Sequence, residues 1–232
     1  MATIAVPKTR LRYDDVFFPA MALLLLVIVV TGFANSYFLA GMVRAKLPST
    51  LVHIHGALFV SWILLLLLQA LLVAVHRVKL HMTLGILGVI LPPAMVVVGT
   101  LTLFGAVRSD RVDMPPEILL AGDLAQLLVF IVLISWGLLA RHNSASHKRL
   151  MILATMAIIG PAISRWGFGL IVTLVLGLAP PLLIVLYDLW SLRRVHRSTA
   201  IGYAMIVAMI ATLLPISRLG FWQHLITWIR HT

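Results

Sequence analysis

The sequence predicts an all-α protein: a polytopic transmembrane helical bundle of about seven spans, one leading helix followed by three hairpins, with a cytoplasmic N-terminus and a C-terminal interfacial helix. Three observations predict it. Of 232 residues, 62% are hydrophobic and 11% charged, and the mean hydropathy is +1.09, which no water-soluble domain of this size keeps out of aggregates. The apolar residues come in runs that match the roughly 20 residues a helix needs to cross the hydrocarbon layer, without the alternation of barrel strands. The basic residues sit between those runs, so the formal charge of +11 reads as head-group contacts and topology signals, with no nucleic-acid partner.

The chain reads as one integral membrane domain: a cytoplasmic segment over 1–15, a bundle over 16–215 and an interfacial tail over 216–232. The predicted spans are Val16–Ala40, Leu51–Val75, Met82–Val107, Ile118–Ala140, Leu150–Ser164, Gly167–Tyr187 and Thr199–Pro215. The first is too long for a signal-peptide core and is read as retained. Pro92-Pro93 predicts a bend in the third span. The fifth is short and reaches adequate length only by starting near His147 and letting Arg165 snorkel. Lys and Arg are in excess on the side of the N-terminus and of the loops at Arg77, Arg141 and Arg193, which puts that side in the cytoplasm. The tail Arg218–Arg230 is too short to span, and Gln223, Thr227 and Arg230 form a polar stripe beside Trp222 and Trp228, so it lies along the outer interface.

With no cysteine, disulfides, thiolate metal sites and thiol nucleophiles are excluded. No Walker sequence, G-x-S-x-G, H-E-x-x-H or Gly-rich dinucleotide fingerprint is present, so ATP-driven work and serine hydrolysis have no support. The chemistry-bearing residues are the nine histidines. The hairpin turn His76-x4-His81 recurs as His142-x4-His147, a repeat that places His81 and His147 at one depth on parallel helices, the relation that two axial haem ligands require. The spacing equally permits zinc or iron held by His76, His81, His142, His147 and Asp188. A third reading is plain interfacial anchoring beside Arg and Lys.

The second span carries His55, Trp62, Gln69 and His76 at intervals of seven, one face of a helix, and a polar face belongs inside the bundle. There His55 would be a haem ligand, a proton relay or part of a quinone pocket. Asp123, with Gln126 on the same side, is the one acid inside a predicted span. Arg165 falls at similar outer depth, so an Asp123–Arg165 ion pair is expected. Asn35 and Ser36 would line the same outer cavity.

The run Gly32-Phe33-Ala34-Asn35-Ser36-Tyr37, then His53-Ile54-His55-Gly56-Ala57, Trp62, Gln69 and the two basic H-x4-H hairpins resemble a group of uncharacterised bacterial inner-membrane proteins. More distantly, the hairpins are similar to membrane cytochromes that hold haem b by histidine pairs. That resemblance implies His55, His81 and His147 as candidate axial ligands. The expected function is inner-membrane electron exchange through haem b, with membrane lipids around it and quinone or a larger complex as partner. The rivals are a metal-dependent enzyme acting on a lipid-like substrate and a non-catalytic accessory subunit.

Overall fold

A computed structural model describes residues 13–39, 49–109 and 114–231. Every described element is helical: α1 (Tyr13–Phe33) with a π-helical turn (Ala34–Phe38), α2 (Thr50–Ala74), α3 (Val78–Leu84), α4 (Leu87–Ser109), α5 (Pro116–Leu139), α6 (Ser144–Ala157), α7 (Gly160–Ser164), α8 (Leu170–Leu192), α9 (Arg197–Ser217) and α10 (Phe221–His231). Among the described residues, six helical stretches are long and apolar enough to cross a membrane: Tyr13–Phe38, Thr50–Ala74, Val78–Ser109, Pro116–His142, Leu170–Leu192 and Arg197–Ser217. The protein is therefore a multi-pass membrane protein. Ala40 of the first predicted span, and Lys8, Arg10, Arg12, Arg44, Lys46, Asp110, Arg111 and Asp113 among the charges flanking the spans, lie outside the described residues.

Local chemistry ends and starts the helices. His76 (φ 60) after α2 and Arg193 (φ 57) after α8 take the left-handed conformation that turns a chain out of a helix. The Asn143 side chain accepts the Ser146 amide at 3.1 Å to cap α6. Pro115-Pro116 opens α5, where a missing amide proton costs nothing. The third predicted span is broken: α3 stops at Leu84, Gly85 and Ile86 form a turn, and α4 runs unbroken through Pro92-Pro93. Proline has no N–H, so Pro92 leaves the Gly88 carbonyl without its helical donor.

The fifth predicted span is the second departure. It is α6 and the short α7, separated at Ile158–Ile159 just before Pro161. Nevertheless α6 is the hub of the bundle, packing against α1, α2, α5, α8 and α9. Its residues from Leu150 to Ala157 are buried apart from Met151, within one core shared with Leu25, Trp62, Phe130, Leu133, Ile184 and Ile206. The tail helix α10 docks Trp222, Ile226 and Ile229 onto Leu103, Val107 and Leu120 of α4 and α5. Arg108 Nε holds it by donating to the Ile229 carbonyl at 2.8 Å.

Candidate functional site: two polar clusters at the ends of α2

Burying a polar atom without a partner costs on the order of 1–3 kcal/mol, so the places where this happens mark candidate sites. Six buried side-chain atoms among the described residues have no hydrogen-bond partner: Ser36 Oγ, His55 Nδ1, Gln69 Oε1, His81 Nδ1, Gln126 Oε1 and Thr199 Oγ1. Thr199 lies beside the Asp188 carboxylate. The other five fall into two groups, one at each end of α2.

The inner group holds Gln69, His81 and His147. The His81 and His147 ring centroids stand 6.3 Å apart with an interplanar angle of 84°. Two metal–nitrogen bonds of about 2 Å each, with the ring radii, place opposed imidazoles roughly 6 Å apart across an ion. His147 Nδ1 contacts the Gly137 carbonyl at 2.7 Å. A proton held at that nitrogen leaves Nε2 as the free lone pair, which is how proteins orient a ligating histidine. His81 lies against the Gln69 backbone carbonyl. Seven residues beyond His81, Gly88 is buried, and a Cβ there would meet nothing within 4 Å. Two imidazoles at this separation, one with its tautomer set, are nitrogen donors of the kind a metal or a haem iron takes.

The outer group gathers around Arg165. Its guanidinium lies over the Phe33 ring at 4.1 Å, and Nη1 donates to the Pro161 carbonyl at 2.6 Å. His55 and Asp123 both sit within its electrostatic range. The expected Asp123–Arg165 contact is not made: the ion pairs among the described residues are Lys148–Asp14 and Arg149–Asp188. Asp123 instead accepts from Gln126 Nε2 at 3.3 Å, a bond available because both stand on one face of α5. The His55 ring stacks on Phe59 at 4.2 Å. His53 points away and meets the Tyr37 hydroxyl, Nδ1 to oxygen 3.1 Å.

The proposed residue sets are therefore divided. His81 and His147 come together, but His55 does not join them. Gln69, which His81 touches, is fourteen residues further along the continuous α2, a rise of about 21 Å. His76 and His142 are exposed at the turns. Among the described residues no three His, Asp or Glu converge as a metal set would require, so the five-residue zinc or iron site is corrected. Asp188 has a different occupation. Its Oδ1 accepts from Arg149 Nε at 2.9 Å and Nη2 at 2.5 Å, and its Oδ2 from the His196 amide at 3.0 Å. A metal there would strand a buried guanidinium. Of the α2 stripe, Trp62 is buried and donates from Nε1 to Thr155 Oγ1 at 3.0 Å, tying α2 to α6 midway between the two groups.

Sequence reasoning passed over a third polar centre. Asp14 binds Lys148 and accepts from the Tyr187 hydroxyl at 2.6 Å, while Phe17 stacks on Tyr187 at 3.8 Å. With Arg149–Asp188 this network joins α1, α6, α8 and α9 at the end of the bundle where α1 begins. The available signal was charge balance: Asp14, Asp15 and Asp188 are the acids on a side otherwise crowded with Lys and Arg. No protein family, curated protein or solved structure compared with this chain matches it.

Proposed function

We propose that this protein is a redox protein of the bacterial inner membrane that holds haem b between His81 and His147. In this reading the bundle crosses the bilayer seven times, α6 and α7 together making the fifth crossing, with the N-terminus in the cytoplasm and lipid around the bundle. The observation that carries it is the opposed His81–His147 pair with His147 tethered to the Gly137 carbonyl. Haem, when bound, supplies one-electron exchange. The chain's own residues do the rest: Gly137 fixes the His147 tautomer, and α6, wedged among five helices, holds that imidazole rigidly at the inner face. Electrons then pass between the inner face and a membrane carrier or partner complex.

Purification in mild detergent followed by oxidised and dithionite-reduced spectra tests this. The expected result is a Soret band that sharpens and shifts on reduction, lost in His81→Ala and in His147→Ala but kept in His55→Ala. A pigment retained in both inner variants overturns it. A colourless protein with stoichiometric zinc or iron would replace it by a metal-dependent enzyme, and one free of both, bound to a stoichiometric partner, by an accessory subunit.

A further inference from the structure

The outer group has no part in holding that haem, yet it is built for a ligand. Ser36, His55 and Gln126 each bury an unpartnered nitrogen or oxygen at this end of the bundle. They arrive from three separate elements: the π-helical turn after α1, α2 and α5. A π turn is uncommon and recurs at functional sites, because the extra residue re-aims a side chain. Here the turn carries Ser36. Gln126 also lines a cavity of about 60 Å³ between α5, α6, α8 and α9, bounded by Gly122 and Gly160. At Gly160 a Cβ would come within 2.7 Å of Gln126 Oε1, so the absence of a side chain at this position is what lets the amide sit there.

The chemistry of the free groups selects the ligand. Arg165 donates, Gln126 Oε1 accepts, and Ser36 Oγ and His55 Nδ1 do either. One cation faces one carboxyl group without pairing to it, so a phosphate would meet Asp123 and a metal ion would meet Arg165, each repelled at close range. A neutral head group whose ring oxygens accept as carbonyls when oxidised and donate as hydroxyls when reduced meets neither penalty. The surroundings are flat: Phe59 stacked with His55, and Phe33 beneath Arg165. Flat aromatic faces around a few convergent polar groups are what a planar ring with oxygen substituents requires. We propose that Ser36, His55, Gln126, Asp123 and Arg165 form a binding site for the head group of a membrane quinone or quinol at the outer end of α2. This names a carrier for the haem reading above and rests on that reading only for its role, not for binding.

The test uses the full-length protein in mild detergent, titrated with decyl-ubiquinone and its reduced form, with bound quinone measured after gel filtration. Wild type is expected to retain quinone saturably. His55→Gln and Gln126→Leu each weaken binding about tenfold or more, because a buried hydrogen bond is lost. His53→Gln, whose ring meets Tyr37 on the exposed side, leaves binding unchanged. Ser36→Ala removes one hydroxyl and serves if either larger change prevents monodisperse elution. Inorganic phosphate and zinc ions do not compete. Failure of wild type to bind, equal binding by His55→Gln, Gln126→Leu and Ser36→Ala, or displacement by phosphate overturns the proposal. The two readings fail separately: a colourless protein that binds quinone through these residues keeps the site and loses the haem, and a pigmented one without quinone binding does the reverse.

Discussion

Arg149 and Asp188 keep 2% and 0% of their side-chain surface, deep enough that each depends on the other. Removing one partner leaves an uncompensated charge, so Arg149→Leu should cost about 3–5 kcal/mol, while the double change Arg149→Leu with Asp188→Leu should cost far less. Thermal unfolding in detergent, followed by circular dichroism, measures both. His196 caps α9 from outside the spans, its Nδ1 accepting the Ser198 amide at 3.2 Å. Partial burial, reinforced by the positive charge of Arg149, holds its pKa below the usual 6.5. The neutral ring is therefore favoured in the folded protein. Its contribution is fully present above about pH 6.5 and is lost as the pH falls through the lowered value, when the proton takes the lone pair that caps the helix. Amide exchange at Ser198, corrected for intrinsic rate, should accelerate below pH 6 in wild type and show no such step in His196→Asn.

At the scale of elements, the close approach of α1 to α7 is the tightest contact. A Cβ on Gly32 would stand 2.2 Å from the Ala162 carbonyl oxygen, and that atom is backbone, so it yields only if the helices separate. Gly32→Ala should destabilise by about 1–3 kcal/mol, the usual range for overpacking. Because Phe33, the next residue, lies under Arg165, quinone retention should fall with it. Gly220→Ala, with nothing within 4 Å of the added methyl, is the matched control. The α6–α7 pair shows why one predicted span was hard to read. A helix surrounded by protein rather than lipid needs neither full length nor an unbroken run, and at the break the Ile158 and Ile159 amides donate to the Thr155 and Met156 carbonyls of the same segment. Its sequence accordingly lacks the long apolar run that marks the six others.

Across the whole molecule, a chain without cysteine invites single-cysteine topology mapping. With the N-terminus in the cytoplasm, a cysteine at the exposed His142 should react with a membrane-impermeant maleimide only in inverted vesicles. A cysteine at the exposed Gly220, before α10, should react only in intact spheroplasts. Labelling of both from the same side would mean that α6 to α9 cross the bilayer an even number of times between them.

Fold class was legible in the sequence because lipid imposes one rule everywhere: about 20 apolar residues per crossing and every backbone group satisfied within the segment. The heptad of His55, Trp62 and Gln69 likewise placed a polar face on α2 from periodicity alone, because a continuous helix fixes which residues share a side. The H-x4-H repeat put His81 and His147 at one depth, but that they meet and that His55 does not join them was not legible. His55, His81 and His147 look alike as residue types, and only the length of α2 and the packing of α6 at the hub separate the first from the other two. The same holds for Asp188, a metal ligand by spacing and an arginine partner by contact. Local sequence carries helix and depth; a choice among partners at equal depth depends on rotations and tilts that every helix in the bundle sets jointly.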